Sequence, residues 1–376
     1  MCGIAGIFNT NHKPVDNLTN KLCVMNHLIA HRGPDDQGLW ANKNQSVGLA
    51  HRRLSIIDLS QHAHQPMLSP TGKVVVFNGE IYNHLELRAL LKTDWTFTSN
   101  SDTEVILAAY EKFGVDCVKY FKGMFAFAIW DGERLFCARD HFGIKPFYYL
   151  NQNDEFIFAS ESKALMPFLP DIKTNRQAFV EYITFQYPMG SQTLFEDVNQ
   201  LEPAHAMLLT PDGQKIWRYW DVHYHIDYDH TASYFSNQLE ELIAESIQAH
   251  LRADVDVGAY VSGGVDSSLI GILATHEKNQ ALPFFHGRFL EDKAYDESEY
   301  AQYAAQQCGT KLHVRDMTSS EFAQNFSDII YHLDFPVAGP GVFPQFMVSE
   351  MAASQVKVVL GGPGGDEIFG GYARYL

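Results

Sequence analysis

A cysteine stands at position two, so removal of the initiator methionine would make Cys2 the N-terminal residue. Its thiol would then share one residue with a free α-amino group, whose unperturbed pKa of about 8 lets it accept the thiol proton near neutral pH. This pairing is typical of N-terminal nucleophile enzymes, in which the amine does what a histidine does elsewhere. Gly3, Ala5 and Gly6 would let a substrate approach the backbone closely. A second interpretation stays open, in which Cys2 is a small buried hydrophobic residue.

Polar residues further along the N-terminal half have the side chains needed to hold an amino acid and to stabilise an oxyanion. Arg53 offers a planar guanidinium suited to a bidentate pair with an α-carboxylate, and Asp102 could hold an α-ammonium. Asn78 and Gly79 offer a side-chain amide and a backbone N–H that could converge on a developing oxyanion. The alternatives are that Arg53 is a surface ion-pair residue and that Asp102 is the N-cap of a helix over 103–112.

Two glycine-rich segments in the C-terminal half follow predicted buried strands. Residues 262–268, Ser-Gly-Gly-Val-Asp-Ser-Ser, come directly after a strand over 257–261, and residues 361–367 come after a strand over 356–360. A glycine-rich turn from strand to helix presents backbone N–H groups to an anion, which suits a pyrophosphate. The pattern GxxxxGK[ST] is absent, which excludes the kinase-type phosphate loop. A purely structural turn is the alternative for each segment.

The elements that must position these residues differ between the two halves. Short strands are predicted over 47–58, 73–78, 124–130, 134–138, 147–150 and 156–159, with amphipathic helices over 15–30 and 103–112. The pattern loosens from 163 to 228, where prolines interrupt short apolar runs, so we interpret this region as connecting structure. Strands and helices then alternate, which predicts a parallel sheet with helices on both faces and a ligand at the carboxyl ends of its strands. Thr318 and Glu321 form a capping-box pattern before a helix over 319–333.

The length and net charge of the chain limit the classes of protein to which it can belong. A chain of 376 residues predicts two domains, and its formal net charge of −17 argues against a nucleic-acid or anionic-membrane partner. The five cysteines are odd in number and lack CxxC spacing, which indicates neither a disulfide framework nor a zinc site. No signal peptide or apolar run of about 18 residues is evident, so a cytoplasmic location is expected.

The order of the N-terminal motifs resembles that of class II glutamine amidotransferases, and in particular the glutaminase domain of glutamine-dependent asparagine synthetases. The resemblance implies an αββα sandwich of the N-terminal nucleophile hydrolase type over residues 2–200, with Cys2 as nucleophile on a central strand. It also implies that Asn78 and Gly79 hold the oxyanion. The glutamine-binding residues implied are Arg53, Asn78, Glu80 and Asp102. The motifs that carry the resemblance are Cys2-Gly3-Ile4-Ala5-Gly6, His31-Arg32-Gly33-Pro34-Asp35, Arg53-Leu54-Ser55-Ile56, Asn78-Gly79-Glu80-Ile81-Tyr82-Asn83, Ser101-Asp102-Thr103-Glu104, Gly123-Met124-Phe125-Ala126-Phe127, Arg139-Asp140-His141-Phe142-Gly143-Ile144-Lys145-Pro146 and Ala159-Ser160-Glu161.

Residues 262–267 resemble the signature of ATP pyrophosphatases, which split ATP to AMP and pyrophosphate while adenylating an oxygen of the acceptor. This implies a parallel-sheet α/β nucleotide-binding domain over residues 225–376 that uses ATP and Mg²⁺. The Mg²⁺ ligands implied are Asp266 and Asp366, with Glu367 a weaker candidate. One departure from the asparagine synthetase pattern is Pro363, at a position that is commonly acidic. The ATP-binding residues implied are Ser262, Gly263, Gly264, Asp266, Ser267, His286, Gly362 and Gly364.

The resemblance as a whole implies a glutamine-hydrolysing asparagine synthetase that amidates aspartate through an acyl-adenylate. Its partners would be glutamine, ATP and a carboxylate acceptor, with no nucleic acid, no membrane and a homodimer as the assembly to test. A related expectation is an amidotransferase acting on a sugar carboxylate of a surface polysaccharide or on another acid. An alternative of another class is a non-catalytic or regulatory binding protein, since the family's chains continue well beyond the equivalent of Leu376.

Overall fold

The structure is a computed structural model that describes residues 1–290, 296–336, 339 and 341–372. The chain divides into two units, Met1–Tyr224 and His225–Leu376. The strands of the first unit are β1 (Gly3–Asn9), β2 (Asp36–Ala41), β3 (Val47–Arg53), β4 (Met67–Leu68), β5 (Val74–Ile81), β6 (Gly123–Trp130), β7 (Leu135–Arg139), β8 (Tyr148–Gln152), β9 (Glu155–Ala159), β10 (Asn199–Gln200), β11 (His205–Thr210) and β12 (Gly213–Arg218). Its α-helices are α1 (Leu18–Leu28), α2 (His84–Leu91), α3 (Asp102–Phe113) and α4 (Arg176–Phe185).

The strands of the first unit form two six-stranded antiparallel sheets, ordered β10-β8-β9-β1-β3-β2 and β12-β11-β7-β6-β5-β4. Side chains alternate along β1 with the two-residue period of a strand. Ile4 and Phe8 enter the core between the sheets, while Ala5 and Ile7 pack with α1 on the outer face. Helices α2 and α3 cover the outer face of the other sheet. The predicted αββα sandwich is therefore confirmed.

The pairing of strands gathers the N-terminal polar residues at one edge of the sandwich. Strand β1 runs antiparallel to β3 with Gly3 opposite Arg52, so the start of β1 meets the end of β3. His51 reaches across to the other sheet, where its Nε2 lies 3.1 Å from the carbonyl oxygen of Phe77. Burial lowers the pKa of His51 to about 3, so the ring is neutral between the sheets. Asn78 follows Phe77 directly, which places it at the edge where Cys2 enters β1.

The strands of the second unit are β13 (Val257–Tyr260), β14 (Phe284–Phe289), β15 (Leu312–Met317) and β16 (Val358–Leu360), and its helices are α5 (Ala232–His250), α6 (Val265–Lys278), α7 (Ser298–Gln307), α8 (Ser319–Leu333), α9 (Val342–Ala353) and α10 (Gly365–Phe369). The strands form a parallel sheet ordered β15-β14-β13-β16. Helices α5, α6 and α7 pack on one face, and α9 covers the other. The predicted parallel α/β unit is therefore confirmed, and its two glycine-rich turns follow the neighbouring strands β13 and β16.

The prediction that residues 163–228 are connecting structure is wrong. This region contains α4 and three strands, and β11 and β12 extend the second sheet past residue 200 by pairing in series with β7. Ala206, Met207 and Leu209 of β11 are buried in the core, which is why this short segment is held as a strand despite the prolines on either side. The strand predicted over 47–58 ends at Arg53, since the chain then loops around that side chain.

Helix length and polarity bear on any membrane role. The longest helix described is α5, with 19 residues. Within residues 1–290, 296–336, 339 and 341–372, no helix combines the length and the apolar character needed to cross a bilayer.

The capping box of α8 provides a test of the local structure of the second unit. Thr318 Oγ1 accepts from the Glu321 N–H at 3.3 Å, and Glu321 Oε2 accepts from the Thr318 N–H at 3.0 Å. Thr318→Ala removes one half of this exchange, and we expect the helix to lose about 0.5–2 kcal/mol of stability. Hydrogen exchange of the α8 amides measures this loss. Ser320→Ala is the control, because the Ser320 hydroxyl makes only a 3.5 Å surface contact with Gln324; equal effects of the two changes would contradict the prediction.

Candidate functional site

Cys2 lies at the edge of the sandwich with its thiol against the chain that leaves β3. The Leu54 N–H donates to Cys2 Sγ at 3.4 Å, and Sγ lies 3.6 Å from the Leu54 carbonyl oxygen. Burial raises the pKa of the Cys2 thiol above its ordinary value. Because the chain begins at Met1, the Cys2 nitrogen is part of a peptide bond here. The arrangement therefore holds a protonated thiol whose activation requires either a base or a nearby cation.

A buried ionic network holds the backbone of Cys2 in place. Arg32 Nε donates to the Cys2 carbonyl oxygen at 2.8 Å, and Arg32 Nη1 donates to Glu161 Oε1 at the same distance. His31 Nε2 lies 3.0 Å from the same carboxylate oxygen, and Lys163 Nζ donates to the other oxygen at 2.5 Å. Burial alone would raise the pKa of Glu161, but these hydrogen bonds and charges lower it to about 2. The contact of Glu161 with Arg32 could not be predicted from the sequence, since 129 residues separate the two.

Asn78 and Gly79, the predicted oxyanion pair, stand near the end of β5. Both the amide nitrogen and the amide oxygen of the Asn78 side chain are buried, and neither has a hydrogen-bond partner in the described structure. Gly79 packs tightly against β6, since a Cβ there would lie 2.1 Å from the Met124 carbonyl oxygen. A buried amide without a partner is costly, at about 1–3 kcal/mol per group. An incoming ligand would supply the partners that the protein does not.

Two carboxyl groups lie close together just beyond this pair. Burial, and then the neighbouring Asp102, raise the pKa of Glu80 well above its usual range. Burial also raises the pKa of Asp102 to about 6, although its Oδ2 accepts from the Ile81 N–H at 2.9 Å. Two such groups disfavour each other's ionisation, and an ammonium bound between them would relieve that repulsion. The N-cap interpretation of Asp102 is wrong: Ser101 caps α3 by accepting from the Thr103 N–H at 3.1 Å.

Arg53 is buried at the end of β3, which excludes the surface ion-pair interpretation. Its guanidinium donates to the carbonyl oxygens of Ser60 at 3.1 Å and Ile57 at 3.4 Å, and to that of Asp58. These bonds wrap the loop of residues 54–60 around the side chain. The loop begins with Leu54, whose N–H contacts Cys2, so Arg53 and the thiol belong to one local structure.

In the second unit the two glycine-rich turns are in contact. A Cβ at Gly362 would lie 2.9 Å from the Ser267 backbone nitrogen, and a Cβ at Gly365 would lie 2.0 Å from Asp266 Oδ2. At Gly362 the missing Cβ lets the two backbones approach this closely, whereas at Gly365 the atom met belongs to the Asp266 side chain, which can move. Within the first turn, the hydroxyls of Ser262 and Ser267 lie 2.9 Å apart. Gly263 has a φ of +98°, in the region that favours glycine.

The remaining predicted ligands of ATP and metal have their own contacts. His286 is buried beneath the first turn, with Nδ1 2.9 Å from the Val261 carbonyl oxygen and Nε2 3.1 Å from Ser298 Oγ. One ring nitrogen thus contacts the residue that precedes the turn, and the other contacts the first residue of α7. Glu367 caps its own helix by accepting from the Gly364 N–H at 2.9 Å. Asp366 Oδ1 lies against Gly371, where a Cβ would come within 2.0 Å.

The fit of Mg²⁺ to these carboxylates rests on Asp266. Its side chain lies over Gly365, at the junction of the two turns. No group of three or more His, Cys, Asp or Glu side chains in the described part of the chain is arranged to hold a metal. Mg²⁺ in nucleotide sites commonly takes only one or two carboxylates, with phosphates and waters completing its six ligands. The residues present fit an ion that arrives with the nucleotide.

Comparisons with known proteins agree with this division of the chain. A model of the glutamine amidotransferase domain matches residues 1–220, and the asparagine synthase model matches residues 238–376. The whole chain is 35% identical to asparagine synthetase (glutamine-hydrolysing) 1 of Bacillus subtilis and covers 59% of that protein. It is 36% identical to putative asparagine synthetase (glutamine-hydrolysing) 2 of Methanocaldococcus jannaschii, of which it covers 76%. It is also 31% identical to amidase chry2 of Gibberella zeae, of which it covers 60%.

Glu161 gives a prediction with a defined pH dependence. Its pKa in the folded protein, about 2, is below that of an ordinary glutamate, so the ionised carboxylate stabilises the fold above about pH 4.5 and this contribution is lost as pH falls toward 2. We expect Glu161→Gln to lower the free energy of unfolding by about 3 kcal/mol at pH 7, from a shift of roughly two and a half pKa units. Urea unfolding at pH 7 and pH 3 measures the difference, which should shrink at the lower pH.

The matched control for this change is Glu155→Gln. Glu155 pairs with Lys21 at 2.9 Å where both side chains are partly exposed. Such a pair contributes about 1 kcal/mol or less. Equal destabilisation by the two changes, or a Glu161 effect independent of pH, would contradict the assigned network.

Proposed function

This chain belongs to the asparagine synthetase family, and we propose that it uses ATP and the amide nitrogen of glutamine to amidate a carboxylate. The chain spans about three-fifths of the length of the Bacillus subtilis relative that it matches. The first unit would release ammonia from glutamine, and the second would activate the acceptor.

The observation that carries the proposal is the buried, unpartnered side-chain amide of Asn78 beside Gly79. A protein retains such a group at a cost in stability, and oxyanion stabilisation is the chemistry that its N–H donors would serve. The thiol at the same edge of the sandwich is the nucleophile that would generate an oxyanion. Glu80 and Asp102 supply negative charge for the α-ammonium of glutamine, and Arg53 is the cation proposed for its α-carboxylate.

The glutaminase steps follow from these groups once Met1 is removed. The α-amine of Cys2 takes the thiol proton, and Sγ attacks the side-chain carbonyl carbon of glutamine. Asn78 Nδ2 and the Gly79 N–H stabilise the oxyanion of the tetrahedral intermediate. The α-ammonium returns its proton to the departing nitrogen, ammonia leaves, and a thioester remains on Cys2. Water then hydrolyses the thioester to glutamate and restores the thiol.

The synthetase steps would use the two glycine-rich turns of the second unit. The backbone of residues 262–267 and the N-terminal end of α6 provide N–H groups for the phosphates of ATP, with His286 supporting the turn from below. Gly362 and Gly364 would let the second turn approach the nucleotide. Bound Mg²⁺, held by Asp266 and Asp366, would neutralise phosphate charge. Attack by the acceptor carboxylate on the α-phosphate would give an acyl-adenylate and pyrophosphate, and ammonia would displace AMP.

Aspartate is the acceptor that we propose first, in line with the names of the relatives. Pro363 is the specific observation that favours a second candidate, a different carboxylate. Proline has no charge and no backbone N–H, so it cannot act as a base toward ammonia or bind an acceptor through its nitrogen. Both candidates share the glutaminase and the adenylation chemistry and differ only in the acceptor.

The role of Cys2 is tested by Cys2→Ala. We expect glutamine hydrolysis to fall by at least about 10³-fold, because the nucleophile is lost, while pyrophosphate release from ATP with free ammonia persists. Cys23→Ala is the control, since Cys23 is exposed on α1. Intact-mass measurement of the active wild type should show Met1 removed. Retention of Met1 in active protein, or retention of glutaminase activity in Cys2→Ala, would refute the mechanism.

The acceptor is tested by measuring asparagine, AMP and pyrophosphate formed from aspartate, ATP and free ammonia. The aspartate assignment predicts asparagine and AMP in equal amounts, with no gain in rate from Pro363→Glu. If instead another carboxylate in a panel turns over at least about tenfold faster, and Pro363→Glu raises the rate with aspartate, the second candidate replaces the first. Absence of glutamine-dependent AMP formation with every acid would refute both.

A further inference from the structure

The backbone of Phe77, directly before Asn78, is held by side chains from two other segments. Gln65 Oε1 accepts from the Phe77 N–H at 2.7 Å, and His51 Nε2 lies 3.1 Å from the Phe77 carbonyl oxygen. Gln65 and His51 are both buried. The edge strand β4 pairs only with the first two residues of β5, so these side chains take over where the strand pairing stops. Both backbone groups of Phe77 therefore point away from β6, toward the open edge of the sheet.

The pairing of β5 with β6 places the Gly79 N–H on the same open edge. The register runs unbroken from Val74 to Ile81, and along such a pair the backbone groups point alternately toward the partner strand and away from it. Ile81 also donates to a side chain at the edge, since Asp102 Oδ2 accepts its N–H at 2.9 Å. Gly79 lies midway between Phe77 and Ile81. Its N–H therefore faces the edge, between two N–H groups that are held by side chains.

Phe125, which lies opposite Gly79 in β6, gives independent evidence for this direction. The Phe125 N–H donates to Asp140 Oδ2 at 3.1 Å, and the Phe125 carbonyl oxygen accepts from the Asp140 N–H at 2.8 Å. Both groups are thus used on the side of β6 that faces away from β5. The Gly79 N–H is consequently not taken up by the strand beside it. The oxyanion donor assigned to Gly79 depends on this direction.

Gln65 joins the edge of β5 to the start of α3. Its Nε2 donates to Thr103 Oγ1 at 3.2 Å, while its Oε1 holds β5. Because a backbone N–H can only donate, the amide oxygen must be the atom that faces β5, which fixes the orientation of the amide. Asp102, the neighbour of Thr103, holds the N–H of Ile81. The first two residues of α3 are thus attached to β5 on both sides of Gly79.

The backbone of Gln65 is in turn seated on the first sheet. A Cβ at Gly38 would lie 2.0 Å from the Gln65 carbonyl oxygen, so the missing Cβ lets this segment approach β2. Gly38 lies opposite His51 in the pairing of β2 with β3. The two side chains that hold Phe77 therefore start from neighbouring places. The position of the Gln65 amide is determined by packing at its backbone and by hydrogen bonds at both ends of the amide.

We propose that Gln65 is a positioning residue of the glutaminase site, which keeps the Gly79 N–H directed at the oxyanion by holding the Phe77 N–H two residues before it. The proposal rests on the proposed function of Asn78 and Gly79 in glutamine hydrolysis. A donor of an oxyanion hole acts only within hydrogen-bond distance of the developing charge, so a small rotation of β5 weakens binding of the transition state more than binding of the substrate. Gln65 itself touches no reacting atom. The other function open to it is stability alone, through the buried N–H that it satisfies.

The experiment compares Gln65→Met, Thr103→Val and the control Thr193→Val in glutamine hydrolysis and in urea unfolding. Thr193 is a buried threonine of the same unit whose hydroxyl donates to the Val198 carbonyl oxygen at 2.8 Å. We expect Gln65→Met to lower kcat about 10–100-fold with KM changed less than about twofold, because the groups that bind glutamine stay in place. Thr103→Val removes the partner of Gln65 Nε2 and should lower kcat about threefold to tenfold. Thr193→Val should lower stability and leave kcat and KM unchanged.

Glutamate γ-semialdehyde, the aldehyde analogue of glutamine, tests the oxyanion position directly. Cys2 Sγ adds to its carbonyl carbon, the C=O double bond becomes a single bond and the thiol proton goes to the oxygen, which then occupies the place of the oxyanion. We expect Gln65→Met to weaken inhibition by the semialdehyde at least about tenfold, while inhibition by glutamate, which forms no such bond, stays as in wild type. One preparation serves all variants, so that cyclisation of the semialdehyde cancels from the ratio.

The possible outcomes separate the two functions of Gln65. Lowered stability with the kcat and the semialdehyde inhibition of wild type, in Gln65→Met and Thr103→Val alike, would assign Gln65 to stability alone and overturn the proposal. An equal fall of kcat in Thr193→Val would overturn it as well. Should Gln65→Met fail to fold, Thr103→Val decides by the same two measurements. Failure of the proposed function would look different, because wild type would then hydrolyse no glutamine and would bind the semialdehyde no more tightly than Cys2→Ala does.

Discussion

The end of a polypeptide chain frays unless something holds it, and the residue proposed to do the chemistry, Cys2, becomes the chain terminus once Met1 is removed. Arg32 supplies the restraint by donating to the Cys2 carbonyl oxygen at 2.8 Å, and Glu161 in turn holds Arg32. Because the restraint acts on the carbonyl, it leaves both the amine and the thiol of Cys2 available. Pairing of β1 with β3 then brings Leu54, the residue that follows β3, to the sulfur, which its N–H contacts. The position of Cys2 therefore depends on the pair formed by Arg32 and Glu161.

A second constraint is the balance of buried charge. Glu80 and Asp102 disfavour each other's ionisation, and burial opposes ionisation of the Cys2 thiol. Each of these arrangements is unfavourable alone, and the proposed substrate would supply a compensating charge, since the α-ammonium of glutamine suits the two carboxyls. Under the proposed function, binding of the substrate ammonium would relieve this repulsion, and such relief is one way in which binding free energy is directed into catalysis.

Much of this arrangement could be predicted from sequence, because motifs are local. The glycine-rich turns and the Thr318 capping box depend on neighbours within a few residues, and the structure confirms them. The link between Arg32 and Glu161 could not be found, since it joins distant segments without a shared period. The N-cap of α3 could not be predicted from sequence either, because Ser101 and Asp102 are both good capping residues. In the structure Asp102 accepts from the Ile81 N–H, and Ser101 caps the helix by accepting from the Thr103 N–H. Strands β11 and β12 could not be predicted from their own residues, because β11 is held by pairing with β7, which is distant in the sequence, and β12 pairs with β11.

In the second unit, the two glycine-rich turns that follow adjacent parallel strands form the candidate nucleotide site, and their contact restricts which side chains fit there. Strands β13 and β16 are neighbours, so the turns that follow them meet at Gly362 and Gly365, and the missing Cβ at 362 lets the two backbones approach. Pro363 stands between these glycines, while both carboxylate oxygens of Glu367 are already engaged, by the Gly364 N–H and by the Tyr372 hydroxyl. Glu367 therefore cannot replace an acidic side chain at position 363 without giving up its cap. If amidation requires a carboxylate there, that group must come from the acceptor or from another segment, which makes acceptor choice the property most sensitive to this turn.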